Sequence, residues 1–330
     1  MLRRRLRAHG ALALLLAALG CSSRSAGPCC GGPGQPSATT SGVTAPASAG
    51  GAASFCAACQ PRRQTGAAQS PDVRETSGIA ASALHPGVFY VHNDSGDTAR
   101  FFAIDAQGRD QGTFELTGAT AVDWEDVARG PCAAAPAGGS CLYFSDTGDN
   151  DHDRSSYVIY RVPEPTSLGA GKHAVTAEAL PFTYPDGGHN AEALLIHPKT
   201  GVITLVTKVK KKGTRAASIY ELPLPLTPGR PAVAVKKGEI EPPTEDKRLT
   251  GGAVHPEARG VLLRNHSQVL HFPMRPEQSV AEALLAAPCV FPPDAVKGEA
   301  ITWLPSGDGF VTMSEGAGAA LEETRCPAAP

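Results

Sequence analysis

From Glu75 onward the chain alternates short apolar runs with turns rich in Pro, Gly, Asp and Lys. Five stretches share this pattern: SGIAASALHPGVFYVHNDSGDTARFFAID; WEDVARG with CLYFSDTGDN and YVIYRVPEP; AEALLIHPKTGVITLVTK with SIYELP; TGGAVHPEARGVLLRNHSQVLHFPM; and GEAITWLPSGDGFVTMSEG. Each reads as a short apolar strand, a turn, and a β-rich strand ending in polar residues, with a third strand usually following. GTFELTG, AVAVKKGEI and AAPCVFP read as fourth, outer strands. Long helical periodicity is absent, apart from a turn or two in SVAEALLAA around Ala283. Evenly spaced short strands separated by turn signals indicate an all-β fold. Four strands in repeats of roughly fifty residues predict a β-propeller. The count is five four-stranded blades, with room for a degenerate sixth. The last unit lacks an outer strand, and residues before Glu75 are available to supply it and close the ring.

In a four-stranded meander the first strand lies innermost, against the central channel. The starts of the first strands carry Glu125, Glu192 and Glu299, with Ser77 and Gly251 in the matching places of the other two units. The second strand runs antiparallel, so its end lies beside the first strand's start. Those ends carry Asp94, Asp146, Lys208, His266 and Glu315. Both sets are therefore expected at one mouth of the channel.

Carboxylates that face one another without a counter-charge repel, and their pKa values rise. A divalent cation would remove that cost, and oxygen ligands suit Ca²⁺. The expected metal ligands are Glu125, Glu192 and Glu299, with Asn190 and Asp146 beside them. The expected ligand-binding residues are Lys208, Arg264, His266, Asp94 and Glu315, the basic members drawing phosphate or carboxylate. The competing reading is structural, with each Glu accepting backbone hydrogen bonds at turns between blades. Asp149, Asp151 and Asp153 alternate as in a calcium loop. Arg154 at position six and Tyr160 at position twelve exclude an EF-hand, which favours an ordinary hairpin turn. TKVKKKGTR reads as a solvated hairpin tip, and Trp124 and Trp303 as packing between blades.

The N-terminus changes the picture of where this body sits. MLRRRLRAHG is a basic leader, ALALLLAAL an apolar run too short for a membrane span, and Cys21 follows Gly20. Residues 1–21 are read as a lipoprotein signal with Cys21 lipidated, against an ordinary secretory signal in which Cys21 is incidental. Residues 22–70, rich in Ser, Gly, Ala and Pro, are expected to be a disordered tether, and 71–330 the propeller. Loss of the four leader arginines leaves 26 basic against 32 acidic residues, a net charge near −6. That balance argues against nucleic-acid binding. The expected product is a monomer, exported and lipid-anchored to the cell envelope, at the outer membrane if there is one. Apart from Cys21, eight cysteines remain, an even number suited to an oxidising compartment. Cys132 and Cys141 flank a short loop and are expected to pair. Cys289 with Cys326 is a second expected pair, and Cys56 and Cys59 in CAAC a local one.

No G-x-S-x-G elbow and no H-E-x-x-H helix is present. The chain resembles a group of exported bacterial β-propeller proteins through SGIA, VHNDSGD, DWEDVA, DTGDN, AEALL, GEAI and MSEG, over most of its length from Glu75. At greater distance it is similar to calcium-dependent propellers, the β-propeller phytases and the regucalcin-type lactonases. That resemblance implies acids at the channel mouth holding Ca²⁺, carried over only to Glu125, Glu192 and Glu299; the families' catalytic motifs do not align. Two functions follow as expectations. One is a propeller that binds a small molecule, glycan or protein at its mouth with Ca²⁺ as a bridging ion. The other is a metal-dependent hydrolase of phosphoesters or lactones.

Overall fold

The structure, a computed structural model, describes residues 55–132, 138–209, 215–293 and 297–327. The leader, Cys21 and Lys210 to Lys212 lie outside the described residues. Five antiparallel sheets form the blades. Strand β1 (Arg63–Ala67) comes first in the chain and belongs to the last blade. Blade one holds β2 (Thr76–Ala81), β3 (Val88–Asn93), β4 (Arg100–Asp105) and β5 (Asp110–Thr117). Blade two holds β6 (Trp124–Pro131), β7 (Ser140–Asp146) and β8 (Tyr157–Pro163). The next strand, β9 (Lys172–Thr176), returns to blade one and pairs parallel with β5, after which β10 (Glu178–Thr183) completes blade two. Blade three holds β11 (Ala191–Ile196), β12 (Ile203–Thr207), β13 (Ala217–Leu222) and, beyond the short β14 (Ala232–Val233) that pairs with β10, β15 (Val235–Ile240). Blade four holds β16 (Leu249–Val254), β17 (Gly260–Asn265), β18 (Val269–Pro273), helix α1 (Val280–Leu284) in the connection, and β19 (Cys289–Val290). Blade five holds β20 (Gly298–Trp303), β21 (Gly309–Ser314) and β22 (Ala320–Arg325), closed on its outer edge by β1.

The propeller count of five is thus observed, and the missing outer strand comes from upstream, as the pattern allowed. The boundary at 71 moves, however. Phe55 is 5% exposed and packs with Phe291, Trp303 and Phe310, so the folded body starts by Phe55. Compositional sparsity hides this because a single aromatic and one short strand suffice when the sheet already exists to receive them.

Apolar side chains gather in five clusters, one between each pair of neighbouring blades. Trp124 stacks on Phe144 between blades one and two, and its Nε1 donates to Thr120 O at 3.0 Å. Trp303 packs between blades four and five. Both tryptophans are wall residues.

Three disulfides are present. Cys132–Cys141 forms as expected. Cys289 does not pair with Cys326, and Cys56 does not pair with Cys59. Instead Cys56 joins Cys289 and Cys59 joins Cys326, with sequence separations of 233 and 267. The helical turn at residues 55–58 and Cys59 just after it lie across the junction of blades four and five, which brings Cys56 and Cys59 to different blades. Three disulfides suit an extracytoplasmic protein. Among the described residues no helix is long and apolar enough to cross a membrane.

Candidate functional site

Every innermost strand carries the same irregularity near its start. In β2, β6, β11, β16 and β20 the register with the second strand slips by one residue. The extra residues are Ser77, Glu125, Glu192, Thr250 and Glu299. A bulge re-aims the side chain it carries, and five equivalent bulges around a ring define one mouth. The fourth position is therefore Thr250 and not Gly251, which sits one residue further on. Sequence alignment by apolar runs cannot see a one-residue slip. All five bulge residues are buried, at 1–6% exposure. Ser77 Oγ donates to Glu125 O of the next blade at 2.5 Å, and Thr250 Oγ1 to Glu299 O at 3.5 Å.

The three glutamates have different surroundings. Glu192 Oε1 accepts from Lys208 Nζ at 2.6 Å and from Asn190 Nδ2 at 3.0 Å. Burial raises its pKa to about 7, even though Lys208 pulls the other way. Glu299 faces His266 Nε2 at 3.2 Å and Lys297 Nζ at 3.1 Å. Burial opposes its ionisation, but those two partners outweigh burial and its pKa falls below the ordinary value. Glu125 is 4% exposed, and no hydrogen bond or ion pair reaches its carboxyl among the described residues. Burial first, then the charges of Glu192, Asp94 and Asp123, push its pKa well above the usual range.

Asp123 lies beside Glu125. A Cβ on Gly148 would meet Asp123 Oδ2 at 2.3 Å and Glu125 Oε1 at 2.5 Å, so both carboxyls rest side by side over that one glycine. Burial, then the Asp94 charge, raises Asp123 to about 6. Asp94 is raised too, first by burial and then by Glu315 and Glu299. Lys208 enters the balance of Asp94, Asp123, Glu125 and Glu192 alike. The electrostatics thus join residues from four blades into one charged cluster, as the repeat predicts.

Some expected members serve the wall instead. Asp146 is 1% exposed, pairs with Arg154 Nη1 at 2.9 Å and accepts from the backbone of Val122 and Asp123, so it organises a turn. Asn190 bridges Glu192 and Asn150. Arg264 is 1% exposed, lies flat against Gly298 and donates from Nη1 to Ala300 O, which removes it from the opening. His266 is a bridge between Asp246 and Glu299. Its pKa is raised, chiefly by the Glu299 hydrogen bond. Glu315 stays on the rim with Lys297 at 3.4 Å. In the acidic loop, Asp149 accepts from Tyr157 Oη at 2.6 Å and from Asp153 N at 3.0 Å, while Asp151 and Asp153 are exposed. That is the hairpin-turn arrangement.

Asp126 was not singled out by sequence. Its Oδ1 accepts from Val127 N at 2.8 Å, and its Oδ2 from Leu194 N at 3.0 Å and Gly252 N at 3.2 Å. It thereby links blades two, three and four. The other inner strands place Gly78, Ala193, Gly251 and Ala300 at this position after the bulge, leaving room for one carboxyl. Further along the inner strands lies a cavity of about 40 Å³, lined by Ile79, Val127, Arg129 and Ile196 among others. That volume holds a water or two.

The donor chemistry for Ca²⁺ is present in part, since Glu125, Asp123 and Glu192 supply oxygen. The arrangement does not fit a resident ion. Ca²⁺ takes six to eight oxygens about one point, whereas Glu192 is held by Lys208, Glu299 by His266 and Lys297, and Asp146 by Arg154. Among the described residues no group of three or more His, Cys, Asp or Glu side chains is placed to hold a metal.

No protein-family model matches the chain, and no curated protein does. Among solved structures, a gluconolactonase from Xanthomonas campestris is similar with a TM-score of 0.40 and 11% identity, over 76% of this chain and 72% of that one. The chain is a five-bladed β-propeller, distantly similar in fold to that structure.

Proposed function

We propose that the protein is an extracytoplasmic binding propeller whose mouth takes a small ligand bearing a positively charged amine, held by Glu125 and Asp123. The observation that carries this reading is Glu125: a carboxyl 4% exposed and without a hydrogen-bonding or ion-pairing partner among the described residues. Such a group costs stability unless something neutralises it. Lys208 and Lys297 together with His266 face Asp94, Asp123, Glu125, Glu192, Glu299 and Glu315. The surplus is negative, so the complementary ligand is a cation. An ammonium needs only a few oxygen acceptors and suits two adjacent carboxyls; Ca²⁺ would also draw on Glu192 and Glu299, which Lys208, His266 and Lys297 already hold. Export and attachment through lipid on Cys21 belong to the same proposal, with the three disulfides supporting the compartment.

Calorimetry with primary amines and alkyl diamines tests the reading, with Ca²⁺ and a neutral sugar as comparators. An amine is expected to bind with release of protons, seen as an enthalpy that varies with the buffer. Glu125→Gln is expected to weaken binding at least about tenfold, the loss of one charged hydrogen bond. Binding of the sugar alone, or amine binding indifferent to Glu125, would contradict it.

A second reading is hydrolysis of a lactone or phosphoester with the mouth carboxyls moving protons. Glu192 at about 7 and Asp123 at about 6 suit general acid–base work near neutral pH. Turnover of aryl phosphate or lactone substrates that falls with Glu192→Gln would favour it; an inert protein that binds amines would not.

A further inference from the structure

We infer that the Lys208 ammonium is a tethered cation standing where a metal ion would otherwise neutralise the mouth, so that this propeller works without calcium. The lysine is placed by its backbone as well as its side chain. Its N–H donates to Asn190 O at 2.8 Å just past the end of β12, and β12 pairs with β11 beside Glu192. Its Nζ then reaches Glu192 Oε1 at 2.6 Å, where Asn190 Nδ2 also arrives at 3.0 Å. The side chain is 24% exposed against 5% for Glu192, so the charge lies at the opening and its partner beneath. Burial disfavours the ammonium, yet Glu192, Glu125 and Glu299 together raise its pKa above the ordinary value.

One residue beyond the partner of the first inner-strand residue, where Lys208 stands in blade three, the other four second strands place Asp94, Thr147, His266 and Glu315, so Lys208 is the one lysine or arginine among these five positions. One ammonium brings a single positive charge and three donors, where Ca²⁺ brings two charges and takes six to eight oxygens. The shortfall leaves the like charges around Glu125 and Asp123 only partly offset, which adds to the burial that chiefly raises both carboxyls. The inference shares the mouth with the ligand reading above but does not need an amine to bind.

Thermal melting at neutral pH with calcium alone as the probe decides it, alongside terbium luminescence. The natural protein is expected to melt at the same temperature with millimolar Ca²⁺ and with a chelator. Lys208→Met is expected to gain a saturable, Ca²⁺-dependent rise of about 5 °C or more, lost again when Glu192→Gln is added. Lys208→Arg should stay indifferent to Ca²⁺. A Lys208→Met chain that folds only when Ca²⁺ is supplied would equally support the inference. A calcium response in the natural protein would overturn it. So would a Lys208→Met protein that folds but ignores Ca²⁺, or one that fails to fold even with Ca²⁺ present. If calcium behaves as expected and amines do not bind, the ligand reading alone fails.

Discussion

Asp126 accepts backbone N–H bonds from three blades at the one place in the ring where the other inner strands shrink to Gly or Ala. Burial raises its pKa well above the ordinary value despite those bonds. Truncation would leave buried amides of Val127, Leu194 and Gly252 without acceptors, and each such loss costs on the order of 1–3 kcal/mol. Asp126→Ala is expected to lose about 3 kcal/mol or more in urea unfolding, and Asp126→Asn about half, because an amide keeps only one acceptor oxygen. An unchanged midpoint would show that the carboxyl is not the tie. The residue was visible in DWEDVA, but its role was not. Nothing in one strand reveals that two partners come from strands 68 and 126 residues away. The three mouth glutamates were legible because the repeat itself places them. The split among them was not, since it depends on His266 reaching Glu299 from the neighbouring blade and on Lys297 turning onto the same carboxyl from two residues upstream.

At the scale of elements, apolar alternation and turn residues were enough to find the inner three strands of each blade. The addition β9 escaped, and AVAVKKGEI, read as one outer strand, divides into β14 on blade two and β15 on blade three; β9 and β14 both pair parallel on outer edges. The five bulges escaped as well, although the bulged residues Glu125, Glu192 and Glu299 drew attention by chemistry. Ring closure depends on β1 and on the helical turn ahead of it, stapled by Cys56–Cys289 and Cys59–Cys326. In the chain-entropy account a cross-link that closes a long loop stabilises more than one that closes a short loop. Removing Cys59–Cys326 by paired serines is expected to cost about 4 kcal/mol, against about 2–3 kcal/mol for Cys132–Cys141. Melting of the two variants checks the order; equal or reversed losses would mean that the clasp does not hold the ring.

For the molecule as a whole, the mouth concentrates negative charge that the fold only partly neutralises. Glu192 moves from 4.5 to about 7 and Asp123 from 3.8 to about 6. A carboxyl whose folded pKa is raised binds its proton more tightly in the folded state. Its contribution is therefore fully present below about pH 4 and is lost as pH rises through 6 and 7. A bound cation, whether the proposed amine or a metal in Lys208→Met, would reverse that trend by taking the proton's place. The same excess would draw cationic ligands towards the opening, less strongly as salt is added.

The account depends most on the bulged glutamates sharing one buried, charge-coupled mouth, and side-chain carboxyl titration by carbon NMR measures that coupling directly. The natural protein should show carboxyls titrating near pH 6 and near pH 7 and Glu125 above both, and the Glu125 titration should shift downward in Glu192→Gln as a repelling neighbour is removed. A protein in which every carboxyl titrates below about pH 5, unmoved by that substitution, would show that the glutamates do not meet.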